Sequence, residues 1–203
     1  MPCYEFRGIV PVVDPSSYVH PQAAIIGDVI IGPGCFVGPS ATLRGDFGRI
    51  VVEGDASIQD AATVHVSSSH DTKIGRGSTI AHGAVVHGCQ LGENCLIGIN
   101  ALVLDGAELG HECFVGALSM VANDMAAPPR SLLLGVPARI RRTLSPDEIS
   151  WRNDGKGDYQ LLAREAIRTM VECSPLARAE PDRGRTDLTA ERVRLAKHAQ
   201  ATD

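Results

Sequence analysis

Residues 91–121 read LGENCLIGINALVLDGAELGHECFVGALSMV and contain a repeat of six residues. Aliphatic side chains recur at this spacing, at Leu91, Ile97, Val103, Leu109, Val115 and Val121. The same spacing occurs upstream, at Val19, Ile25, Ile31, Val37 and Leu43. A six-residue period is typical of a parallel β-helix, in which each short strand places one aliphatic side chain in the core.

A second, small side chain enters the core four residues after each aliphatic one. Cys35, Cys95 and Cys113 occupy such positions, so we interpret them as core residues and not as ligands or disulfide partners. The chain contains 21 glycines and only 4% aromatic residues. Frequent turns and a narrow core of aliphatic and small side chains explain both values.

The pattern resembles the left-handed hexapeptide-repeat β-helix, whose triangular coil takes about 18 residues. We therefore predict an all-β fold with about six triangular coils over residues 19–127, preceded by a lead-in strand or cap over residues 1–18. An exit loop is predicted over 128–144, a helical segment that packs along the prism over 145–174, and a charged tail over 175–203. Within the helical segment Ser145 and Glu148 predict a capping box. A first helix is expected to run to about Asn153 and a second from about Tyr159 to Met170. Tyr159 is interpreted as a packing residue of that helical segment.

The net charge of −5 and the absence of a basic stripe argue against nucleic-acid binding. No stretch approaches the roughly 18 apolar residues that span a bilayer, and the first residues do not resemble a signal peptide. The expected location is the cytoplasm.

The repeat is interrupted near a group of histidines. From Val64 the next aliphatic residue that precedes a glycine is Ile74, ten residues later, which predicts a bulge of four extra residues. His65 and His87 are 22 residues apart, one coil plus this bulge, so we expect them to be neighbours on successive coils, where two imidazoles can share a metal ion. Arg44 joins their column if residues 43–58 carry three extra residues.

His82 follows Ile80 by two residues and belongs to the neighbouring face, so its side chain should diverge from the pair. It can complete a three-histidine site only by reaching another subunit, as in a homotrimer about a threefold axis. Three neutral imidazoles with an open position favour a catalytic divalent ion. His20, His111 and His198 share no register with this set, and the role of His70, in the bulge, stays open.

Several motifs are similar to those of the γ-class carbonic anhydrases, over residues 8 to about 172. They are Leu43-Arg44-Gly45-Asp46, Ile58-Gln59-Asp60, and residues 81–89, which read AHGAVVHGC. The resemblance implies a homotrimer with zinc, or iron or cobalt, at each subunit interface, held by His65 and His87 of one subunit and His82 of the next. It implies an ion pair of Arg44 with Asp46 at the subunit interface and a hydrogen bond from Gln59 to metal-bound water or substrate, and Asp60 belongs to the same set of candidate catalytic residues.

Within this superfamily the chain is similar to the branch of the phenylacetic acid degradation protein PaaY and the carnitine operon protein CaiE, on residues 8–13, 44–52 and 172–176. That branch implies hydrolysis of CoA thioesters by metal-bound hydroxide. Phe47 occupies the place of an acidic proton relay, which leaves His70 and Asp71 as candidate shuttles and implies weak CO2 hydration. The segment His65-Val66-Ser67-Ser68 departs from the branch and leaves the acyl group open.

Two other interpretations remain. Many hexapeptide-repeat proteins transfer acyl groups from CoA with one histidine as general base and no metal. A trimeric structural homologue without turnover is the third. The amount of bound metal distinguishes the metal-dependent hydrolase from the acyltransferase.

Overall fold

The computed structural model describes residues 2–149 and 157–186, and almost all of its regular structure is β. One helix is bounded within these residues, α1 (Asp158–Thr169). The strands are β1 (Cys3–Tyr4), β2 (Val12–Val13), β3 (Tyr18–Val19), β4 (Ala24–Ile31), β5 (Phe36–Val37), β6 (Thr42–Val52), β7 (Ser57–Ile58), β8 (Thr63–His65), β9 (Thr72–Ile74), β10 (Thr79–Ile80), β11 (Val85–His87), β12 (Gln90–Leu91), β13 (Leu96–Ile97), β14 (Leu102–Val103), β15 (Glu108–Leu109), β16 (Phe114–Val115), β17 (Met120–Val121), β18 (Ala126–Ala127), β19 (Ser131–Gly135) and β20 (Ala138–Thr143).

The strands form three faces of a left-handed parallel β-helix, as the repeat predicts. Face A is an 8-stranded sheet in the order β3-β5-β7-β10-β13-β16-β19-β20. A 12-stranded sheet forms the other two faces. We call the part that contains β8, β11, β14 and β17 face B, and the part that contains β9, β12, β15 and β18 face C. The long strands β4 and β6 bend from face B to face C.

The core consists of the side chains that the repeat predicts. Ile25, Ile97 and Val103 are fully buried, and so are the small residues that follow by four positions, such as Cys95 and Ala101. Burying one such aliphatic side chain stabilises the fold by about 1.5–3 kcal/mol. The period of six is therefore the spacing at which the chain returns to one narrow core.

The buried cysteines are free thiols, as predicted for core residues. Burial raises the pKa of the Cys89 thiol to about 12. The hydrogen bond from Cys95 lowers the pKa of the Cys113 thiol to about 7, but both sulfurs lie in the closed core, with no exposed residue surface. Neither residue is placed to meet a substrate.

The prism is longer than residues 19–127. At its start β1 and β2 pair with β4. At its end the predicted exit loop contains an antiparallel hairpin of β19 and β20, and β19 pairs in parallel with β16. Leu133 lies 18 residues after Val115 and is fully buried above it, so the repeat continues for one more strand beyond Pro128 and Pro129.

The C-terminal helical segment contains both predicted features within the described residues. Ser145 and Glu148 form the predicted capping box, with hydrogen bonds of 2.9 and 3.3 Å between the backbone N–H of each and the side chain of the other. Helix begins at 146 and the remainder of this predicted helix, to Asn153, lies outside the described residues. Helix α1 packs on face A, where Tyr159 contacts Phe36 at 5.3 Å between ring centroids.

Neither described range contains a helix with the length and apolarity that a bilayer crossing requires. The described part of the predicted tail, residues 175–186, is exposed.

The contacts of Glu148 in the capping box should be measurable as a lowered pKa of its carboxyl group. The hydrogen bond from Arg142 is the main reason that the pKa of Glu148 falls from 4.5 to about 2. Because the folded-state pKa is lowered, ionised Glu148 stabilises the fold above pH 4.5, and this contribution is lost as the pH falls toward 2. Arg142→Gln is expected to raise the pKa of Glu148 toward its ordinary value of 4.5, measured by carboxyl NMR. Arg130→Gln, whose arginine pairs with Glu112, is the control, and an unchanged pKa in R142Q would contradict this explanation.

Candidate metal site at a corner of the prism

Strands β8 and β11 bring His65 and His87 together at the corner between faces B and C. The two strands are neighbours in parallel register, with His65 paired to His87 and Val64 paired to Val86. Because side chains alternate along a strand, the buried valines leave both imidazoles facing outward. Arg44 pairs with His65 on the preceding coil, so the predicted column of three residues is confirmed.

Both predicted insertions are present and bend the chain at this corner. In β6 the register to β4 shifts between Gly45 and Ile50, so residues 46–49 leave the ladder. After His65 the chain turns through residues 67–70, closed by backbone hydrogen bonds between Ser67 and His70. The Thr72 hydroxyl donates to the His65 carbonyl at 2.6 Å and holds the end of this turn in place.

The two imidazoles face each other and each is held from behind by a carboxylate. His65 Nδ1 lies 3.0 Å from His87 Nε2. His65 Nε2 contacts Asp46 Oδ1 at 2.8 Å, and His87 Nδ1 contacts Asp105 Oδ1 at 2.5 Å. A carboxylate keeps the N–H on the nitrogen that it contacts, so in the neutral imidazoles the two facing nitrogens both carry lone pairs.

The surroundings of Asp46 favour the ionised form of its carboxyl group. Burial raises the pKa of its carboxyl group, but the hydrogen bonds from His65 and Arg44 outweigh burial and hold the pKa below its ordinary value. Arg44 pairs with the second carboxylate oxygen of Asp46. The family resemblance implies this ion pair at the subunit interface, whereas the structure contains it within one chain, where it orients His65.

Asp105 belongs to the site and was not among the residues predicted from the sequence. It lies on the corner after β14, one coil beyond β11. The spacing could have predicted this position, because Asp105 follows His87 by 18 residues, which is one regular coil. Gly88 allows the approach, since its φ is +54° and an ideal Cβ there would lie 2.1 Å from Asp105 Oδ1.

Gly88→Ala should therefore separate Asp105 from His87. We expect zinc affinity to fall by about 10–100-fold, the usual effect of losing a carboxylate behind a histidine ligand. The measurement is competition of the purified protein with a zinc chelator. Gly34→Ala is the matched control, because Gly34 has φ +69° and an ideal Cβ there would lie 2.6 Å from Asp55 Oδ1, on a different corner of the prism. Equal zinc affinity in both variants would refute the role of Asp105.

His82 lies on the corner between faces A and B, away from the pair, as its position in the repeat predicts. Its Nδ1 contacts Asp60 Oδ2 at 2.6 Å, and its side chain is 47% exposed. In residues 2–149 and 157–186, no three His, Cys, Asp or Glu side chains of one chain converge to hold a metal. One chain thus brings together two of the three predicted ligands.

The other candidate residues surround these two corners. Gln59 directly precedes Asp60 and is 5% exposed. Burial, and then the charges of Asp60 and Asp158, raise the pKa of the Tyr159 phenol, so α1 lies close to this corner as well as packing on Phe36. These residues lie on the side of the prism that carries His82.

The bulge residues and Phe47 lie near His65. The Phe47 ring is 64% exposed and meets the His65 ring edge-on at 6.0 Å. His70 Nδ1 is 3.0 Å from the Ser69 hydroxyl. An ideal Cβ on Gly88 would lie 3.2 Å from the His70 Cβ, which places His70 beside the same corner.

The donor set fits zinc. Nitrogen ligands lie about 2.0–2.1 Å from zinc, so two ligands of a tetrahedral site are about 3.3–3.4 Å apart. The facing nitrogens of His65 and His87, at 3.0 Å, need to separate only slightly. His65, His87 and a third imidazole such as His82 would hold the ion, each with an aspartate behind it.

Three comparisons show what the chain resembles. A sequence family described as the hexapeptide repeat of succinyl-transferase matches residues 90–117. The carnitine operon protein CaiE of Citrobacter koseri is 44% identical over 191 residues, 94% of this chain and 97% of that protein. CaiE of Shigella flexneri serotype 5b is 42% identical over 196 residues, 95% of this chain and 100% of that protein.

Solved structures agree on the fold. A hexapeptide transferase family protein from Anaplasma phagocytophilum has a TM-score of 0.77 and 31% identity, over 80% of this chain and 96% of that one. A protein of Bacillus cereus described as a putative acetyltransferase has a TM-score of 0.80 and 26% identity, over 82% and 96% of the two chains.

Proposed function

The chain belongs to the hexapeptide-repeat family that contains the carnitine operon protein CaiE, and from this premise we propose that it is a metal-dependent hydrolase of CoA thioesters. The active sites would lie between the subunits of a homotrimer. Zinc is the proposed ion, with iron or cobalt as alternatives. The proposed location is cytoplasmic.

One observation carries this proposal. Each of three histidines has an aspartate on one ring nitrogen, with Asp46 behind His65, Asp105 behind His87 and Asp60 behind His82. A carboxylate behind a histidine is the usual arrangement around a protein metal site. A surface histidine without such a role has no need of it, and three in one chain are hard to explain otherwise.

The subunit arrangement follows from the separation of His82 from the pair. A ligand on a different corner can join His65 and His87 only if another copy supplies it, and a threefold axis repeats that contact at every interface. The half-exposed side chain of His82, whose Nδ1 is occupied by Asp60, supports such a contact. Each trimer would then hold equivalent sites, each made by two subunits.

A divalent ion bound there would act as a Lewis acid on a carbonyl oxygen and lower the pKa of a coordinated water toward neutrality. The aspartates would keep the ligating nitrogens deprotonated, and Arg44 would keep Asp46 in position. Gln59 would hydrogen-bond water or the substrate carbonyl. Phe47 would contact the acyl group. Because Phe47 occupies the position of an acidic proton relay, CO2 hydration would be weak.

The test is metal analysis combined with a panel of substrates. We expect about one zinc per chain, hydrolysis of acyl-CoA thioesters, and weak CO2 hydration. The first acyl groups to assay are ring-hydroxylated aromatic ones of the kind formed in phenylacetate degradation, and enoyl ones. Metal-free protein after anaerobic purification, or fast CO2 hydration without thioester turnover, would contradict the proposal.

Acyl transfer is the second candidate. It is favoured by the descriptions of the similar structures and by the His82–Asp60 pair, which has the form of a histidine general base oriented by a carboxylate. A transferase would release CoA only when an amine or alcohol acceptor is present and would keep its activity after chelation. A hydrolase releases CoA without an acceptor and loses activity with its metal.

A further inference from the structure

The bulge of β6 carries two side chains that meet His65. Residues 46–49 leave the ladders on both sides of β6, so their backbone lacks the hydrogen bonds that hold a regular strand in place. Asp46 lies behind His65, and the Phe47 ring meets the His65 ring edge-on. The position of this bulge therefore determines how His65 is oriented.

Asp71, on the next coil, contacts the bulge directly. The Arg49 N–H donates to Asp71 Oδ1 at 2.7 Å. An ideal Cβ on Gly48 would lie 2.6 Å from the same oxygen, so the absence of a side chain at Gly48 allows this approach. The carboxylate thus supplies a partner for a backbone N–H that the ladders leave unpaired.

The backbone around Asp71 is itself fixed. The Asp71 carbonyl accepts a hydrogen bond from Gln90 Nε2 at 3.0 Å. The next residue, Thr72, pairs with Ile50 in the ladder and donates its hydroxyl to the His65 carbonyl. Asp71 therefore extends from the point at which the ladder resumes, and its carboxylate ties the bulge to that point.

The side chain of Arg49 makes a second contact on the opposite side of the bulge. Its Nε lies 3.1 and 3.0 Å from the two carboxylate oxygens of Asp28 on the preceding coil. The Arg49 side chain is 55% exposed, and an exposed ion pair of this kind contributes little. The Asp71 carboxylate binds the backbone itself through a short side chain, so it constrains the bulge more tightly.

These contacts bear on the two roles open to Asp71. The sequence makes Asp71 a candidate proton shuttle, and a shuttle must reach the metal-bound water directly or through one other water. Its carboxylate instead faces the backbone of the bulge. We infer that Asp71 is a positioning residue that fixes the bulge, so that Asp46 stays behind His65. The inference rests on the proposed function, since it takes His65 as a metal ligand.

Two substitutions at Asp71 separate these roles. Asp71→Asn removes the charge and the titratable group but keeps an oxygen that accepts the Arg49 N–H, whereas Asp71→Ala removes both. We expect zinc affinity, measured on the full-length protein by competition with a chelator, to fall about tenfold in D71A. In D71N it should stay within about twofold of the wild type, because the bulge keeps its acceptor.

Glu53→Ala is the matched control. Glu53 also accepts a backbone N–H from the next coil, that of Arg76 at 3.0 Å, but on the corner between faces C and A. This variant should keep the zinc affinity of the wild type. Equal zinc affinity in D71A and the wild type would overturn the inference. So would equal losses in D71A and D71N, because the charge and not the hydrogen bond would then be responsible.

Hydrogen exchange on the metal-free protein gives a measurement that does not depend on zinc. The amides of residues 46–49 should exchange at least about tenfold faster in D71A, because the Arg49 N–H loses its acceptor, and at the wild-type rate in D71N. Unchanged exchange in D71A would overturn the inference even if the protein binds no zinc.

The two proposals fail separately. Zinc affinity that depends on Asp71, without thioester turnover, would overturn the hydrolase and support the role of Asp71. Thioester turnover with equal zinc affinity in D71A and the wild type would overturn the role of Asp71 and leave the hydrolase.

Discussion

Replacing His87 with alanine is expected to remove the bound metal and to lower thioester hydrolysis by at least about 1,000-fold. The loss follows because Lewis-acid stabilisation of several kcal/mol disappears and each 1.4 kcal/mol corresponds to tenfold in rate. The His87 side chain is 30% exposed and is not part of the buried hydrophobic core, so the variant should fold. The measurements are zinc per chain and kcat/KM for the best acyl-CoA substrate.

His111→Asn is the matched control for this prediction. His111 accepts a hydrogen bond from the Glu93 N–H at 3.0 Å on a different corner, and asparagine can replace that acceptor. It should retain full metal content and activity. Metal-free H87A with normal turnover would refute the metal mechanism, and metal-replete H87A would refute the ligand assignment.

The sequence predicts this site well because, in a β-helix, the number of residues between two positions determines whether they are neighbours on successive coils. Two residues separated by one coil, plus any insertions, must be neighbours, since each strand pairs with the one a coil earlier. His65, His87 and Arg44 were placed in one column by this rule alone, and the ladder contains those pairs. The same rule separated His82 from them.

The hydrogen-bond partners of the histidines are harder to predict. Asp46 lies in the bulge of β6, where the register is lost, so no count places its carboxylate against His65. Asp105 lies one coil after His87, as the spacing rule requires, but it was not predicted, because an aspartate on a corner usually stabilises the turn itself. Its role depends on the space left by the missing side chain of Gly88, which is a property of packing.

At the C-terminal end of the prism, the sequence predicts that the coils end earlier than they do. Pro128 and Pro129 begin the predicted exit loop, yet proline fits a corner where no ladder hydrogen bond is required. The burial of Leu133 then determines the path of the chain, since one more aliphatic side chain covers Val115. The hairpin of β19 and β20 then follows at the end of the prism.

Mixing two inactive variants, His82→Ala and His87→Ala, is expected to restore activity if subunits exchange. In a mixed trimer one interface can combine the intact His65 and His87 of an H82A subunit with the intact His82 of an H87A subunit. With random assembly at equal amounts, about a quarter of the interfaces are complete. Activity and zinc content after joint denaturation and refolding should rise to about that fraction of the wild type.

The same experiment distinguishes a shared site from one within a single chain. If His82 acted in its own subunit, every chain in the mixture would lack a ligand, and joint refolding would restore nothing. Separate refolding of each variant is the control, and mixing H65A with H87A should also fail, because both residues come from the same subunit. Recovery in the first mixture and none in the second would locate His82 across the interface, because only a ligand set divided between subunits can be reassembled from two defective chains.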